Sequence, residues 1–536
     1  MARPVVLLDG RTVSCGQVRD VARGAAAARV TADGRERAQA AARTAAAVAA
    51  RRQVYGRTTG VGANRDLRVA AADRRGHGLR LLRSHAGGGG PIVAAELSRA
   101  MLVVRANQIA AGGSGVDPGV LGPLLEGVNA GLSVPVPWYG AIGTGDLTAL
   151  AVTALCLLGE RDWLPHGARQ PRFPLASADA LAFLSSNAAT VGEAALACSD
   201  LAELMRAAIV IAALSHRAVA ASTEPYAAAV HEARRYRGQR AVAAALRALL
   251  ADPGQPAESE PVEGQPVGGQ PAGGQPAGRI QDPYGYRALP QVHGPAMDAV
   301  RHAEQTVTTE LNAAAENPLI DVAGATVWHN GNFHTAYVGL ALDAVRAALV
   351  QTAALSAARL GTLVEPAFTG LAPFLATDRP PSSGIMILEY VAQSAIADIR
   401  RLAAPAALGS AVLSRGAEEH AGFSTQSARA TTDVTGAYRI VLGCELVAAV
   451  RALRLRGTRP AGPGLAAAFG LAAAALPADT ADRPLDADLA AAQDLLAGLA
   501  AFAGPGHPAD GDAADPDPAA LASVADEPGP DDGGER

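Results

Sequence analysis

The amino-acid sequence predicts a mainly α-helical protein, with a long central helical bundle and a smaller N-terminal part that carries glycine-rich loops. Aromatic residues make up only 4% of the 536 residues and alanine is abundant throughout, a bias that helices tolerate and β-sandwiches do not. Long stretches also show helical periodicity, and their density favours one large bundle. The predicted helical stretches are 20–52, 97–111, 191–251, 297–312, 335–360, 385–402 and 433–455.

The sequence predicts three regions along the chain. Residues 1–190 form the N-terminal part with the active-site loops, and a short strand or hairpin is expected in its first 15 residues. Residues 191–475 form the central bundle, and residues 476–536 form an acidic region rich in Ala and Pro with a disordered tail. Residues 253–279 contain Gly-Gln-Pro four times. Proline and glycine at this density cannot pack, so we expect a flexible surface insertion there.

The composition excludes several classes of chemistry. All 46 basic residues are Arg and the chain has no Lys, which removes pyridoxal-phosphate enzymes and the Walker A nucleotide loop. The net charge of −5 does not indicate nucleic-acid binding. The four cysteines have no metal-binding or disulfide spacing, and no apolar run free of charge approaches the ~18 residues of a membrane span. We therefore expect a cytoplasmic protein with no pyridoxal phosphate, no metal and no membrane partner.

Four glycine-rich loops contain most of the chemically distinctive residues. Each loop has an ordinary interpretation. In chain order, these are a surface loop, a loop with a structural histidine, a tight turn in which Asp146 caps the next helix, and a linker. In the second loop, His85 stands just before four glycines, where few side chains can cover it. The loops are Tyr55–Gly62, Ser84–Pro91, Gly140–Leu147 and Gln281–Arg287.

The same loops also have a functional interpretation. Tyr55 is a candidate general base if nearby Arg residues or helix N-termini lower its pKa. The amide nitrogen of Gly145 could attack the carbonyl of Gly143, which would close a five-membered ring around Thr144 and give an electrophile after loss of water. Arg287 suits recognition of a carboxylate, because its guanidinium can donate two parallel hydrogen bonds.

These loops, together with further motifs in the same order, resemble the histidine and phenylalanine ammonia-lyase family. The resemblance covers about residues 4–460. The polar pair of His85 and Glu418 makes the chain most similar to the histidine type. The further motifs are Leu184-Ser185-Ser186-Asn187, Glu310-Leu311-Asn312, Glu316-Asn317-Pro318-Leu319-Ile320, Asn330-Gly331-Asn332-Phe333-His334, Gly384-Ile385-Met386, Arg400–Pro405 and Glu418-Glu419-His420.

The resemblance implies a helical homotetramer that eliminates ammonia from an aromatic or imidazole amino acid and gives an α,β-unsaturated acid. It also implies that Gly143-Thr144-Gly145 forms an imidazolone electrophile autocatalytically. Tyr55 would take the β-proton, Tyr284 would lie against the electrophile, and Tyr55 and Arg287 would come from different subunits. The residues implied to bind the substrate are His85, Asn187, Gln281, Arg287, Phe333 and Glu418.

The chain departs from the family pattern near the electrophile. Thr144 stands where the family has Ser, so a closed ring would carry an ethylidene group. The loop is also shorter than the family pattern: either one residue is missing, or Gly143 takes the position of the family's Ala. Thr58 and Val61 replace an Asn and a Phe in the first loop. Three functions stay open: a lyase acting on histidine or a related aromatic amino acid, a tyrosine-type lyase or 2,3-aminomutase of specialised metabolism, and a homologue with a non-lyase role that lacks the usual imidazolone.

Overall fold

The computed structural model describes residues 3–167, 169–251 and 279–504, and it confirms the mainly α-helical fold. The predicted Gly-Gln-Pro insertion, apart from Arg279, lies outside the described residues, and so does the predicted disordered tail. The division of the chain into three regions stays a prediction.

The N-terminal part combines short strands with helices of moderate length. Its strands are β1 (Val5–Leu8), β2 (Ala27–Val30), β3 (Gly89–Ile92) and β4 (Pro137–Tyr139). Its helices are α1 (Cys15–Ala22), α2 (Ala32–Ala49), α3 (Arg74–His85), α4 (Ala95–Ala111), α5 (Leu121–Asn129), α6 (Leu147–Leu158) and α7 (Ala180–Leu184). The first strand is confirmed, but it forms no hairpin, because β1 pairs in parallel with β2 across α1. The predicted helix over 20–52 is therefore interrupted, since Ala27–Val30 extends to form this pairing.

The central bundle is built on long helices that pack side by side. Its first members are α8 (Ala188–Ala218), α9 (Ala228–Glu232), α10 (Arg237–Leu250), α11 (Tyr284–Arg287) and α12 (Leu289–Leu311). A short hairpin of β5 (Leu319–Asp321) and β6 (Thr326–Trp328) follows. The remaining helices are α13 (Ala336–Val364), α14 (Pro366–Thr369), α15 (Ile387–Leu402), α16 (Ser424–Leu455), α17 (Pro463–Ala475) and α18 (Asp486–Ala500).

The helix α13 is long and apolar enough to cross a membrane by length and composition alone. It nevertheless packs against α12, α15 and α16, and 56% of its most apolar window is buried inside the protein. It also contains a buried ion pair between Asp343 and Arg346. These contacts are typical of the core helix of a bundle.

A fully buried ion pair between Arg359 and Glu445 joins several helices of the bundle. The guanidinium of Arg359 on α13 donates two hydrogen bonds to the carboxylate of Glu445 on α16, at 2.6 and 2.8 Å. The hydroxyls of Ser215 on α8 and Ser356 on α13 donate to the same carboxylate. Arg359 also donates to the carbonyl oxygen of Gly285 on α11 at 3.2 Å. The pair therefore fixes the position of α11 relative to the bundle.

We expect Glu445→Gln to lower the free energy of unfolding by about 3–5 kcal/mol, because it leaves the buried Arg359 charge without its counterion. The measurement is equilibrium unfolding in urea. Asp398→Asn is the matched control, since it breaks an exposed pair with Arg401 whose side chains are 69% and 64% exposed. The control should change the unfolding free energy by no more than about 1 kcal/mol. Equal effects of the two substitutions would contradict the prediction.

Candidate active site

The N-terminal ends of three long helices, α8, α13 and α16, meet around the turn Gly143-Thr144-Gly145. Asn187, just before α8, accepts a hydrogen bond from the Gly145 amide at 2.9 Å. Thr335, just before α13, donates to the Gly143 carbonyl through its amide at 3.2 Å and its hydroxyl at 3.1 Å. Phe423, just before α16, donates its amide to the Ile142 carbonyl at 3.0 Å. Because helix N-termini carry partial positive charge, this setting favours negative charge developing at the turn.

Residues that normally cap helices serve other partners here. Asp146, Asn187 and Thr335 occupy the position just before α6, α8 and α13, yet none of their side chains caps its own helix. The prediction that Asp146 caps the following helix is therefore wrong. Its carboxylate accepts hydrogen bonds from the amide and hydroxyl of Thr190, at 2.7 and 2.9 Å. Asp146 thus satisfies buried donors in the first turn of α8 instead of those of α6.

The backbone of the turn requires glycine at two positions. Gly143 and Gly145 have φ angles of +86° and +106°, a region that other residues rarely adopt. A Cβ atom added to Gly143 would lie 2.3 Å from the Oγ of Ser424, so alanine does not fit there. The two atoms that would join on ring closure, the Gly145 nitrogen and the Gly143 carbonyl carbon, both belong to hydrogen-bonded groups. Because Thr144 stands between two glycines, no side chain on either neighbour hinders ring closure, and the residues of the turn fit the formation of an imidazolone.

Tyr55 lies in a second loop, where its phenol oxygen accepts a hydrogen bond from the Gly62 amide at 2.8 Å. Its own amide donates to His329 Nε2 at 3.3 Å. The condition for Tyr55 as a base, a lowered pKa, is not met within this chain, because burial raises the pKa of the phenol and the charge of Glu418 adds to the rise. The Gly62 hydrogen bond and the charge of Arg65 only partly oppose these effects.

Two further loops lie beside the turn and the Tyr55 loop. Asn187 donates a short hydrogen bond to the carbonyl of half-buried Phe333, and so links the turn to the loop before α13. His334 in that loop shares a hydrogen bond of 2.9 Å with His420. Ser414, from the segment before His420, accepts a hydrogen bond from the Ala63 amide at 2.9 Å. These contacts join the loops that carry Tyr55, Asn187 and Phe333 into one cluster.

The two residues implied to contact the substrate ring lie in different surroundings. Glu418 is exposed, and one of its carboxylate oxygens lies 3.7 Å from the position of a Cβ added to Gly62. His85 is the last residue of α3, and its Nδ1 is within hydrogen-bond distance of the Leu81 carbonyl and the Ser84 hydroxyl, at 2.9 and 3.1 Å. Among the contacts of the described residues, none joins His85 to Glu418.

The remaining predicted residues, Gln281, Tyr284 and Arg287, lie at the opposite end of the bundle. The helix α11 is held beside the far end of α13, where the Tyr286 hydroxyl contacts the Thr362 hydroxyl at 2.6 Å. From Thr335 to Arg359 the chain runs along α13 for about 36 Å at ~1.5 Å per residue. One chain therefore does not bring these residues to the Gly143-Thr144-Gly145 turn.

The chain is similar to known enzymes over nearly its whole length. The family profile described as aromatic amino acid lyase matches residues 13–474. The chain is 34% identical to histidine ammonia-lyase of Geobacillus thermodenitrificans, an alignment that covers 84% of this chain and 88% of the relative. The chain belongs to the aromatic amino acid lyase family. It is also 35% identical to the probable histidine ammonia-lyase of Halobacterium salinarum, over 92% of this chain and 96% of the relative.

Solved structures of lyase-family members share the fold. Histidine ammonia-lyase of Trypanosoma cruzi matches with a TM-score of 0.83 at 26% identity, over 94% of this chain and 96% of that one. Tyrosine aminomutase from Streptomyces globisporus also matches with a TM-score of 0.83 at 26% identity, over 93% and 97%. The predicted family resemblance is confirmed, and the chain is an enzyme of the ammonia-lyase family, a carbon–nitrogen lyase.

Sequence reasoning missed four polar residues of this lyase that contact the predicted loops. They are His329, Thr335, Ser414 and Ser424. Thr335 directly follows the Phe333-His334 motif, and Ser424 lies four residues after His420. Their position next to motifs was the available signal, but hydroxyl residues at the start of a helix usually act as caps.

Two buried carboxyl groups of this lyase, Asp146 and Glu193, interact with the charge of Arg429. Burial raises the pKa of Asp146 to about 6 and the pKa of Glu193 to about 7, and the charge of Arg429 opposes both shifts. Arg429 Nε lies 3.8 Å from a carboxylate oxygen of Glu193, and Asp433 adds a negative charge that raises the pKa of Glu193 further. Glu193 therefore binds its proton more tightly in the folded protein than in the unfolded chain.

We expect Glu193→Gln to remove a pH dependence of stability. The pKa of Glu193 is about 7 in the folded protein, above its ordinary value of 4.5, so its contribution to stability is complete below pH 4.5. That contribution is lost as the pH rises to about 7, and wild type should lose up to about 3 kcal/mol relative to the variant. Urea unfolding between pH 4.5 and 7.5 measures this difference. The control is Glu36→Gln, at an exposed position on α2, and parallel profiles of wild type and Glu193→Gln would contradict the prediction.

Proposed function

We propose that this lyase eliminates ammonia from L-histidine or a closely related polar aromatic amino acid, with an imidazolone formed from Gly143-Thr144-Gly145. The observation that carries the proposal is the pair of hydrogen bonds that hold the turn. Asn187 accepts from the Gly145 nitrogen and Thr335 donates to the Gly143 oxygen, so both groups that would join are held by hydrogen bonds. The relatives named histidine ammonia-lyase, at 34% identity, support the same substrate class.

The imidazolone would supply an electron-poor carbon that accepts electrons from the substrate and so makes ammonia a better leaving group. The residues present fit this group, because glycines on both sides of Thr144 lower the steric cost of ring closure. Thr144 would supply the hydroxyl that leaves as water. Its additional methyl group, compared with the family's serine, would remain on the ring. No lysine is needed, which agrees with the composition of the chain.

Tyr55 would take the β-proton of the substrate. Within one chain its pKa is raised by burial, and the Gly62 amide is a fixed donor that favours the phenolate. Arg287 from a second copy of the chain would bind the substrate carboxylate and would add positive charge near the phenol. Tyr284 and Gln281 from the same copy would lie against the amine, because all three residues are on or next to α11.

His85 and Glu418 would select the substrate ring. An imidazole can both accept and donate hydrogen bonds, so it can satisfy both side chains at once. A phenyl ring would leave the two polar groups without partners in a closed site, which is costly. Phe333 would form an apolar wall of the pocket.

The active enzyme would be a homotetramer that completes each site between copies. Two neighbouring helices expose large apolar side chains: Tyr337 and Leu340 on α13 are 78% and 62% exposed, and Ile387 and Tyr390 on α15 are 53% and 65% exposed. Exposed apolar surface of this kind indicates an interaction face. Association of copies through such faces would allow α11 of one chain to reach the turn of another.

A panel of aromatic amino acids tests the function directly. We expect ammonia release and a rise in ultraviolet absorbance with histidine, and little of either with phenylalanine. The control is Thr144→Ala, which lacks the departing hydroxyl and should abolish turnover. Conversion of tyrosine to a β-amino acid would instead support the second candidate, an aminomutase, which the structural similarity to tyrosine aminomutase favours. Full activity of Thr144→Ala would contradict the imidazolone.

Mixing two inactive variants tests whether the site is shared between chains. Tyr55→Phe should lower turnover by at least about 10²-fold, the usual range for a positioned acid–base group. Arg287→Leu should also be nearly inactive, because it removes the guanidinium that would bind the substrate carboxylate. When the two variants are co-expressed, we expect activity to return, because roughly one site in four then combines an intact Tyr55 with an intact Arg287 under random assembly.

The control for this experiment co-expresses Tyr55→Phe with the double variant Tyr55→Phe/Arg287→Leu. No site in that mixture can contain an intact Tyr55, so activity should stay at the level of the single variant. The same low activity in the first mixture would contradict a shared site.

A further inference from the structure

We propose that the hydroxyl of Thr335 is a catalytic donor for ring closure in this chain, and that Ser424 orients it. The proposal rests on the function given above, since it assumes that the Gly143-Thr144-Gly145 turn cyclises. It assigns a role in forming the electrophile, separate from any role in binding or deaminating the substrate.

The first observation is the unusual use of Thr335. A threonine just before a helix normally accepts a hydrogen bond from an amide in the first turn of that helix. The side chain of Thr335 makes no such bond to α13. Its hydroxyl donates to the Gly143 carbonyl oxygen at 3.1 Å, and its amide donates to the same oxygen at 3.2 Å. Two donors from one fully buried residue therefore converge on the oxygen of the carbonyl that must be attacked.

The second observation is a close contact between the hydroxyls of Thr335 and Ser424. The oxygens of Thr335 and Ser424 lie 2.5 Å apart, and both side chains are fully buried. A hydroxyl has one hydrogen to donate, and Thr335 uses its hydrogen on Gly143. With the Thr335 hydrogen on Gly143, we assign Ser424 as the donor to Thr335, which gives a chain of hydrogen bonds from Ser424 through Thr335 to Gly143. Such a chain polarises each member and strengthens the last bond.

The third observation links Ser424 to the sequence of the turn. The Ser424 oxygen lies 2.3 Å from the place where a Cβ on Gly143 would be, so it fills the space that a side chain at position 143 would need. A methyl group at position 143 would therefore clash with Ser424, so the contact between the two hydroxyls requires glycine there. Glycine at position 143 is what allows Ser424 to approach Thr335 and the carbonyl.

The reaction balances without any further reactant. The Gly145 nitrogen forms a bond to the Gly143 carbonyl carbon, and the electron pair of the C=O double bond moves to the oxygen, which Thr335 stabilises. The proton of the Gly145 nitrogen passes to that oxygen. The resulting hydroxyl leaves as water with the hydrogen of the Thr144 nitrogen, and a second water carries away the Thr144 hydroxyl and its Cα hydrogen. Two preorganised donors at a developing oxyanion are the arrangement that accelerates such additions.

The experiment follows ring closure by mass instead of by activity. The full chain is made by cell-free synthesis, translation is stopped, and the intact mass is measured over time for the loss of two water molecules. We expect Thr335→Val to slow this loss by about 10²-fold, the usual effect of removing one such donor, while Thr335→Ser retains most of the rate. Thr352→Val is the matched control, since its hydroxyl is equally buried in α13 and donates to the Leu349 carbonyl far from the turn.

Each outcome decides the proposal. Unchanged closure in Thr335→Val, or equal slowing in Thr335→Ser or Thr352→Val, would overturn it, because a hydroxyl at this position would then have no special effect. A wild-type chain that never loses water would overturn it together with the imidazolone. Slow closure in Thr335→Val, combined with a wild-type chain that closes but releases no ammonia from any amino acid, would support the role of Thr335 and contradict only the proposed function.

Discussion

The meeting of three helix N-termini at one turn is the constraint on which the candidate site depends. It brings Asn187 and Thr335 close enough to bond to the turn, so neither side chain caps its own helix. On α8 the carboxylate of Asp146 accepts the Thr190 amide instead. A missing cap costs about 0.5–2 kcal/mol. The helices α8, α13 and α16 have 31, 29 and 32 residues, so tertiary packing supplies most of their stability. Helices of this length can therefore remain stable while the residues at their N-terminal caps bond to the turn.

The same length separates the two halves of the site. Because α13 is a packed and continuous helix, the position of α11 relative to the turn cannot change without disrupting the bundle. The buried pair of Arg359 and Glu445 holds Gly285, and thereby Tyr284 and Arg287, at the far end. The bundle thus acts as a rigid spacer, which means that the geometry of each complete site would depend on how copies associate rather than on loop movement.

Sequence reasoning predicted the helical fold and the turn because both depend on local composition. Alanine-rich periodic stretches favour helices wherever they pack, and only glycine allows the backbone of the turn. It did not predict that Ala27–Val30 forms a strand, because the pairing partner lies about 20 residues earlier. The interpretation of Asp146 as a cap of α6 was wrong, and the contact of Thr335 with the turn was missed, both for one reason. The residue type indicates a capping side chain, but the partner is set by tertiary contacts.

The glycine at position 143 of the turn is matched by contacts from the surrounding helices. A glycine at position 143 loses more conformational freedom on ordering than an alanine would, so the turn needs additional contacts to hold its geometry. The two hydrogen bonds from Thr335 supply such contacts at the carbonyl, and Ser424 occupies the space that glycine leaves open. Asn187 holds the other reacting group, the Gly145 amide. The contacts of Thr335 and Ser424 therefore offset the flexibility of Gly143. The turn is ordered by the surrounding helices instead of by its own residues.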